Sequence, residues 1–405
     1  MMNKRSLLSG AGGALAGAAL AKLSQPFAAY ADDTTSLPFA NGDRPVVRYP
    51  GKRPLIRLTS RPPQLETPFA VFNEGVITPN DAFFVRYHLA DIPLSIDPDA
   101  FRIEVKGKVD RTLSLSLTDL KTGFEPVEIV AVNQCSGNSR GFFEPRVAGG
   151  QLANGTMGNA RWRGVPLKAI LDKAGVQAGS RQVTFNGLDK PVLPETPDFV
   201  KALDIDHAND GEVMIAYAMN GEDLPWLNGY PVRLVVPGHY GTYWVKHLNE
   251  ITVIDSVYDG FWMKTAYRIP DNSCACTEPG QAAAATVPIK RFDVRSFITN
   301  LADGAKIKAG AKILIKGIAF DGGYGIADVL LSSDAGQTWR AAKLGPDLGR
   351  YSFREWQTLV RLPAGKHELK VRAINRIGQS QPMAPLWNPA GYMRNVAETV
   401  RVQAG

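Results

Sequence analysis

The feature that most constrains the fold of this chain is a break in its hydrophobic pattern between Asn272 and Val287. The segment combines Pro279-Gly280 with four consecutive alanines and lacks helical or strand periodicity, which is typical of a linker. The chain has 405 residues, and single hydrophobic cores stop growing at about 250–300 residues. We therefore predict two domains, over residues 68–271 and 288–405, joined by a linker over residues 272–287.

The first domain is predicted to have an α+β fold, because strand-like and helix-like segments alternate along it. Strand-like runs lie at Phe101–Val109, Pro126–Asn133, Val183–Gly187, Val232–Gly238 and Ile251–Ile254, and helix-like segments at Leu117–Lys121, Pro166–Ala174 and Phe199–Leu203. Residues 32–67 precede this domain and are proline-rich and basic, without sustained periodicity. We expect them to form an extended arm that wraps the first domain.

The second domain has a different pattern, in which short strand-like runs are separated by turn sequences. The turns are Asp321-Gly322-Gly323, Asp334-Ala335-Gly336 and Pro363-Ala364-Gly365. The runs are Lys312–Ala319, Ala327–Ser333, Tyr351–Leu362 and His367–Asn375. Regular turns without helical segments favour an immunoglobulin-like β-sandwich.

The N-terminus has the features of an export signal. Lys4-Arg5 supply a positive region, an apolar Ala/Gly-rich stretch follows, and Ala29-Tyr30-Ala31 is a small-x-small cleavage site. Residues 3–8 resemble a twin-arginine signal in which lysine replaces the first arginine. We expect residues 1–31 to be removed and the mature protein to be periplasmic. A membrane span is not expected in it, since no later segment has the ~18 apolar residues of a membrane helix.

The charge of the chain excludes strong nucleic-acid binding. The formal net charge is +7, and removal of the three basic residues of the signal leaves +4. No Lys/Arg cluster exceeds what a solvated surface provides, whereas nucleic-acid binding requires a basic stripe. We therefore expect no nucleic acid among the partners.

Cys135 lies in a polar, glycine-broken loop over residues 132–140, and no other cysteine precedes Cys274. Cysteine chemistry depends on the thiolate, which a nearby guanidinium such as Arg140 stabilises. This setting indicates a reactive or metal-binding thiol. The alternative, from this residue alone, is a chance free thiol packed as a small hydrophobe.

The remaining cysteines, Cys274 and Cys276, are two positions apart, a spacing poorly suited to an ordinary unstrained disulfide. We expect a partly exposed loop pair, with transient redox chemistry as the alternative. The sequence has no C-x-x-C-H for covalent haem and no paired C-x-x-C for zinc or an iron–sulfur cluster.

A strand-like run, Phe83-Phe84-Val85-Arg86-Tyr87-His88, sends Arg86 and His88 to one face, because side chains alternate along a strand. The arginine fork donates two parallel hydrogen bonds to a carboxylate, phosphate or sulfur oxyanion. The pair indicates an oxyanion site, with a structural salt bridge and a satisfied histidine as the alternative. The other histidines show no i, i+4 metal pattern and are expected to be structural; they are His207, His239, His247 and His367.

Four motifs in one order resemble those of the sulfite oxidase family of molybdenum enzymes. They are Phe83–His88, Asn133–Arg140 (N-Q-C-S-G-N-S-R), Asn228–Gly238 followed by Trp244-Val245-Lys246, and Tyr258–Trp262 with Tyr267 nearby. The resemblance covers about Pro68 to Asp271, and the sandwich is similar to the family's C-terminal dimerisation domain. It implies a molybdenum held by the dithiolene of molybdopterin, with Cys135 as the protein ligand. A soft sulfur donor suits such a metal.

The resemblance also implies roles for individual residues. Arg86, Arg140 and Tyr267 surround the sulfur oxyanion and His88 lies beside the cofactor, so that these four and Cys135 form the catalytic set. Asp189 fits a pterin-contacting acid, although the loop after it departs in length from the family pattern, and Asn228 stands where vertebrate sulfite oxidases carry histidine. The residues implied to grip the pterin and its phosphate are Phe84, Val85, Arg86, Tyr87, His88, Asn228, Arg233, Trp244, Val245 and Lys246.

The resemblance finally implies oxidation of sulfite to sulfate by a haem-free homodimer. Animal relatives carry a fused haem domain, and we expect no segment here to build one, so that electrons pass to a separate c-type cytochrome. Relatives that reduce methionine sulfoxide lack the sandwich, which favours sulfite oxidation over the alternative of a reductase of S- or N-oxides. A second alternative is an exported binding protein that has lost its cofactor.

Overall fold

The computed structural model describes residues 33–405. The predicted export signal lies outside the described residues. From residue 33 onward the chain forms a small antiparallel sheet, a domain with two larger sheets, and a C-terminal sandwich. None of the described helices is long and apolar enough to cross a bilayer.

The segment predicted to be an extended arm is folded into a meander and belongs to the first sheet. Its Gln64 pairs with Arg86 across the last two strands, so this segment supports one strand of the predicted oxyanion site. In sheet order the strands are β1 (Thr34–Ser36), β2 (Asp43–Val47), β3 (Leu55–Ser60), β4 (Pro63–Glu66) and β5 (Val85–Arg86). Their small core consists of Leu55, Leu65, Val85, Tyr87 and Leu227.

The first domain has the predicted α+β fold. Its strands are β6 (Ile103–Gly107), β7 (Leu113–Leu115), β8 (Val127–Gln134), β9 (Met157–Pro166), β10 (Gln182–Gly187), β11 (Lys201–Asp204), β12 (Met214–Met219), β13 (Glu222–Asp223), β14 (Arg233–Val235), β15 (Leu248–Ile254) and β16 (Arg268–Pro270). Its helices are α1 (Leu117–Thr122), α2 (Leu167–Ala174), α3 (Ile205–Ala208) and α4 (Phe261–Lys264). One sheet has the order β11-β10-β15-β6-β7, and the other β13-β12-β9-β8 with β14 paired to β12.

The helices predicted near Leu117 and Pro166 are confirmed. Ser116 caps the N-terminus of α1: its hydroxyl accepts from the Asp119 N–H, while the Asp119 carboxylate accepts from the Ser116 N–H, a capping box. The helix predicted at Phe199–Leu203 is wrong, since Lys201–Asp204 is the edge strand β11 and pairs with β10. Pairing with a neighbouring strand overrides weak local helical preference.

The second domain is the predicted β-sandwich. Its strands, after β17 (Thr286–Pro288), are β18 (Arg295–Ile298), β19 (Ala305–Ile307), β20 (Ile313–Phe320), β21 (Ile326–Ser332), β22 (Arg340–Ala341), β23 (Lys343–Leu344), β24 (Arg354–Val360), β25 (Gly365–Asn375) and β26 (Glu398–Ala404). The two sheets have the orders β18-β20-β24-β23 and β19-β26-β25-β21-β22. All four strands expected from the sequence are present, and along β25 buried residues alternate with half-buried ones.

The segment between the domains is folded back on itself, since β16 pairs with β17. Within it Cys274 and Cys276 form a disulfide, so the expectation that their spacing disfavours a bond is wrong. Ala275 has a φ of 48°, and this left-handed residue brings the two Cα atoms to 5.1 Å. That separation lies within the ~4.4–6.8 Å that disulfides span.

Buried polar contacts join the sandwich to the first domain. Arg295 of β18 is 1% exposed and donates to Asn138 Oδ1 and Ser139 Oγ, at 3.0 Å each. It also pairs with Glu398 Oε1 at 2.9 Å. Asn138 and Ser139 lie in the Cys135 loop, so the sandwich helps to hold this loop in place.

Candidate active site

Cys135 lies where β8 ends, and its backbone is held on both sides. Its N–H donates to the Thr156 carbonyl at 2.9 Å, and its carbonyl accepts from the Asn138 N–H at 3.0 Å. The turn continues through Ser139, whose φ of 68° is left-handed. Cys135 is 9% exposed and is the one free cysteine between residues 33 and 405. The backbone that carries its sulfur is therefore held in place by the surrounding chain.

Two cavities meet at Cys135. The first has about 610 Å³ of empty volume and the second about 820 Å³, and both volumes include space that is open to solvent. Arg86, Cys135 and Tyr267 line both cavities. A group bound to the Cys135 sulfur is therefore accessible from either side.

The first cavity contains polar atoms that have no partner within the described protein. They are buried and comprise Asn133 Oδ1, Ser136 Oγ, Thr242 Oγ1 and Arg233 Nε, and all four residues line the cavity. An unsatisfied buried polar group costs about 1–3 kcal/mol, so native proteins normally pair such groups. The arrangement fits a ligand that carries both hydrogen-bond donors and acceptors.

Positive charge is concentrated in the wall of the first cavity. Burial, together with the nearby Arg233 and against the opposing charge of Asp189, lowers the pKa of Lys246 to about 7. Burial likewise lowers the pKa of Arg233 to about 9. Its guanidinium donates to the Asn228 and Trp244 carbonyls at 3.0 and 3.1 Å. An anionic group such as a phosphate would stabilise the charged forms of both side chains, because an opposite charge compensates for the hydration that burial removes.

Lys52, from the loop between β2 and β3, fixes the neighbouring part of the wall. Its Nζ donates to the Asn80 carbonyl at 2.6 Å, the Phe83 carbonyl at 3.0 Å and Asn228 Oδ1 at 2.5 Å. Asn228 Nδ2 in turn donates to the Phe84 carbonyl at 3.0 Å. The N-terminal sheet therefore orients Asn228 at the edge of the cavity.

His88 and Tyr267 form one side of the site. Burial lowers the pKa of His88 well below its usual value, and the charges of Arg86, Lys246 and Lys201 act in the same direction. The imidazole is therefore neutral at pH 7, and its Nε2 hydrogen-bonds the Tyr267 hydroxyl. Burial raises the pKa of Tyr267, which keeps that hydroxyl protonated. Tyr267 has a left-handed φ of 58°, a conformation that non-glycine residues adopt where the surroundings impose it.

The second cavity is lined by four arginines, Arg44, Arg86, Arg140 and Arg146. No acidic residue lines it in the described part of the chain. Arg44 belongs to β2, and Arg146 follows the Cys135 loop. Guanidinium groups bind oxyanions with short, charge-assisted hydrogen bonds, so this cavity is suited to a small, multiply charged anion.

Arg140 is held by backbone carbonyls and by an aromatic ring. Its Nε donates to the Ala390 carbonyl at 3.2 Å, and its guanidinium lies 4.9 Å from the centroid of Tyr392. Gly137 permits this position, because a Cβ there would come within 2.9 Å of the guanidinium. Tyr392 stacks on Tyr267 with ring centroids 5.5 Å apart, so the C-terminal domain contributes an aromatic residue to the site.

The structure brings most of the predicted site residues together but separates three of them. Side chains that line the first cavity are Phe84, Arg86, His88, Cys135, Asp189, Asn228, Arg233, Trp244, Lys246 and Tyr267. Arg140 lines the second cavity. The side chains of Val85, Tyr87 and Val245 are buried in hydrophobic cores and line neither cavity.

Sequence reasoning missed Lys52, Arg44, Arg146 and Tyr392. The basic character of residues 32–67 was a signal for the first two, but no sequence spacing links them to Cys135. Tyr392 lies in the 22-residue connection between β25 and β26. Connections of that length within a compact domain are uncommon and are often functional. The length of this connection is therefore a sequence signal for a functional segment.

The chain matches two family models. Residues 89–262 match the oxidoreductase molybdopterin binding domain, and residues 286–404 match the Mo-co oxidoreductase dimerisation domain. Cys135 lies inside the first match, whereas Arg86, His88 and Tyr267 lie just outside it. The described pocket therefore includes residues on both sides of the matched region.

Similar proteins include sulfite oxidases from animals and a plant. Mitochondrial sulfite oxidase of Homo sapiens is 35% identical over 91% of this chain and 68% of its own length. Sulfite oxidase of Arabidopsis thaliana is 28% identical over 91% of this chain and 99% of its own. Among solved structures, the sulfane dehydrogenase SoxCD of Paracoccus pantotrophus has a TM-score of 0.73 at 24% identity, over 92% of this chain and 88% of that one. The similarity to SoxCD concerns the fold alone.

Proposed function

Because this chain belongs to the sulfite oxidase family of molybdenum enzymes, we propose that it oxidises sulfite to sulfate and passes the electrons to a separate c-type cytochrome. One observation carries this proposal. Cys135 lies at the junction of a cavity with unpaired polar groups and a second cavity lined by four arginines. The first fits a large polar cofactor, and the second fits a small divalent anion.

The residues present fit a molybdopterin-bound molybdenum. Cys135 offers a soft sulfur ligand, the unpaired atoms of Asn133, Ser136 and Thr242 face the same cavity, and Arg233 and Lys246 would meet a phosphate. When bound, this cofactor supplies oxygen-atom transfer to sulfur and accepts two electrons. The protein supplies binding, orientation and electrostatics.

The chain's own contribution is to desolvate and orient the anion. Sulfite loses hydration when it enters the arginine-lined cavity, and Arg86 and Arg140 replace that water with charge-assisted hydrogen bonds. The Tyr267 hydroxyl remains a hydrogen-bond donor, because burial keeps it protonated. The neutral His88 accepts or donates at this hydroxyl and holds it at the boundary of the two cavities.

A reductase of S- or N-oxides would use the same cofactor and is the second candidate. A neutral sulfoxide or N-oxide gains little from four guanidinium groups in one cavity, whereas an oxyanion needs them to offset its desolvation. This charge favours sulfite over a neutral oxide. A cofactor-free binding protein is disfavoured by the unpaired buried atoms around the first cavity.

The test combines metal analysis with turnover. Purified protein should contain about one molybdenum per chain and should reduce oxidised cytochrome c when sulfite is added. Molybdenum without sulfite-dependent reduction, together with turnover of an S- or N-oxide supplied with a reduced dye, would favour the reductase. Protein purified after molybdenum-replete expression that contains no metal would favour the binding protein.

We also propose that the protein acts in the periplasm, on the strength of its signal-like residues 1–31. Cell fractionation should find it with periplasmic markers, and replacement of Lys4 and Arg5 by glutamine should retain it in the cytoplasm. Normal export of that variant would contradict the assignment.

A further inference from the structure

A continuous series of aromatic rings connects the active site to the protein surface. His88 stacks on Phe199 with centroids 3.7 Å apart, Phe199 contacts Trp262 at 5.2 Å, and Trp262 contacts Phe261 at 5.0 Å. His88 and Phe199 line the first cavity, whereas Phe261 is 41% exposed. Between cavity and solvent there is thus a short path of packed π-systems.

Phe261 begins α4, and exposed apolar side chains also come from two neighbouring loops and from the loop before α4; we define this apolar patch by Leu94, Val192, Leu193, Val257 and Phe261. The loops are in contact: the Asp91 and Lys190 backbones exchange hydrogen bonds of 3.3 and 2.7 Å, and Trp262 Nε1 donates to the Pro197 carbonyl at 3.1 Å. Leu94 is 93% and Leu193 is 58% exposed. Exposed apolar patches of this kind mark interaction sites.

The charges around the patch are predominantly negative. Residues 91–99, 190–198 and 255–264 contain seven acidic and two basic side chains, although the chain as a whole is basic. Both lysines are paired within the patch, Lys190 with Asp198 at 3.1 Å and Lys264 with Asp259 at 3.5 Å, and Lys108 from outside these segments pairs with Asp255 at 3.4 Å. We call the seven acids the acidic rim: Asp91, Asp97, Asp99, Glu195, Asp198, Asp255 and Asp259. The arginine-lined cavity has the opposite sign, so the two surfaces attract different partners.

We propose that the apolar patch and its acidic rim are the docking surface for the electron acceptor, a small one-electron redox protein with a basic face. This inference rests on the proposed function. In each turnover sulfite and water yield sulfate, two protons and two electrons, and two oxidised acceptor molecules take one electron each. The aromatic series from His88 to Phe261 is the link across which each electron leaves, while the anion enters from the arginine-lined cavity.

The chemistry of the patch explains why such an acceptor would bind and leave quickly. Opposite charges steer encounter and fix orientation, and an apolar centre supplies contact without deep burial. Redox encounters of this type bury less than about 1,200 Å². A separate exit surface also lets sulfite and the acceptor bind at the same time.

The first experiment measures binding of mitochondrial cytochrome c, a basic c-type cytochrome, to the holoenzyme by calorimetry at low ionic strength. Glu195→Lys combined with Asp259→Lys should weaken binding by about tenfold, since each reversal removes one attraction and adds a repulsion. The difference should disappear at high salt. Asp303→Lys with Asp328→Lys, which reverses two exposed charges of the sandwich, is the matched control and should bind as the wild type does. Equal binding by both pairs would overturn the proposal.

The second experiment tests the aromatic exit. Phe261→Ala should weaken cytochrome binding several-fold and slow sulfite-driven cytochrome reduction, with Tyr324→Ala on the sandwich as the matched aromatic control. Sulfite-dependent reduction of ferricyanide, a small acceptor that needs no docking surface, should be unchanged in both. Unaltered cytochrome binding and reduction in Phe261→Ala would refute the docking site. If the wild type does not reduce ferricyanide when sulfite is added, the proposed function itself is refuted, so the two failures are distinguishable.

Discussion

At the scale of single residues, Cys135 combines a reactive group with an immobile backbone. Its N–H and carbonyl are both hydrogen-bonded, and its loop is held by Arg295 from the sandwich. A metal-binding sulfur benefits from this arrangement, because little conformational entropy remains to be lost when the ligand bond forms.

Cys135→Ser should abolish sulfite turnover while the protein stays folded. The hydroxyl is a harder and poorer ligand than the thiolate, and replacement of sulfur by oxygen at a loop position creates no core cavity. Molybdenum content, the thermal midpoint and sulfite oxidation should be measured together. Near-normal turnover would contradict the assignment of Cys135, whereas Cys274→Ser with Cys276→Ser, as a control, should retain activity.

Arg86→Gln and Arg140→Gln should each raise KM for sulfite. The expected loss is about 1.5–3 kcal/mol of charge-assisted hydrogen bonding. Arg44→Gln and Arg146→Gln should have smaller effects if these residues act mainly by attracting the anion, and their effects should fade as salt rises. Tyr267→Phe should change the rate more than KM. Unchanged sulfite saturation in both the Arg86 and Arg140 variants would show that the anion binds elsewhere.

Lys201 provides a pH test of burial near Tyr267. It is 1% exposed, its Nζ donates to the Trp262 carbonyl at 2.6 Å, and burial lowers its pKa to about 7. Between that value and about 10 the unfolded chain binds a proton that the folded chain lacks. Burial of Lys201 therefore destabilises the folded protein most near pH 7, and this cost decreases as pH rises across the window.

Lys201→Met should remove this pH dependence. In denaturant titrations between pH 7.5 and 9.5, the wild type should gain up to about 1.4 kcal/mol per pH unit relative to Lys201→Met. The exposed Lys106→Met is the control and should parallel the wild type. Parallel pH profiles for the wild type and Lys201→Met would mean that Lys201 titrates at its ordinary value.

The sequence identified the residues that line the two cavities better than those that support them. Cys135, Arg86 and Arg140 could be identified from the sequence, because each is an unusual residue type for the polar, glycine-containing or alternating segment in which it lies. Lys52 and Tyr392 act on the site from positions far away in the chain, and no local pattern connects them to it. Val85 and Tyr87 belong to a motif but face a core, since alternate side chains of a strand point in opposite directions.

At the scale of elements, the sandwich strands were predictable because turn sequences separate them regularly. The N-terminal sheet was not, since its strands are short and contain prolines, and they are held by pairing with one another and, at β4, with β5. The wrong helix prediction at Phe199–Leu203 has the same cause, since β11 forms by pairing with β10. The Cys274–Cys276 disulfide depended on the conformation of Ala275, which residue spacing does not report.

Contacts between elements also yield a prediction, at Arg295. Arg295→Met removes a buried guanidinium that bonds the Cys135 loop and Glu398. Breaking a buried pair typically costs ~3–5 kcal/mol, and we expect the low end because Arg394 still pairs with Glu398 at 2.8 Å. The free energy of unfolding, from denaturant titration, and the molybdenum content should both decrease. Arg401→Met, whose ion pairs are exposed, should cost under about 1 kcal/mol, and equal losses in the two variants would contradict the role of Arg295.

At the scale of the whole molecule, the arrangement separates three tasks. We propose that the anion enters through the arginine-lined cavity and that the acceptor docks on the apolar patch with its acidic rim, while the sandwich supports the Cys135 loop. A two-domain chain can do this because the active site lies where the N-terminal sheet, the first domain and the sandwich meet.

The last prediction concerns assembly, because the sandwich has an outward face that one chain leaves uncovered. Leu314 and Leu359 lie opposite each other on β20 and β24 and are 38% and 55% exposed, while their neighbours Ile315 and Val360 point into the core. In a twofold dimer the same face is used on both subunits, so four leucines would be buried at about 1.5–3 kcal/mol for each fully buried side chain. We therefore expect a homodimer by light scattering, and Leu314→Asp with Leu359→Asp should convert it to monomers. Leu94→Asp with Leu193→Asp, on the apolar patch, should leave the dimer intact. A monomeric wild type, or a dimer that survives the sandwich substitutions, would contradict this interface.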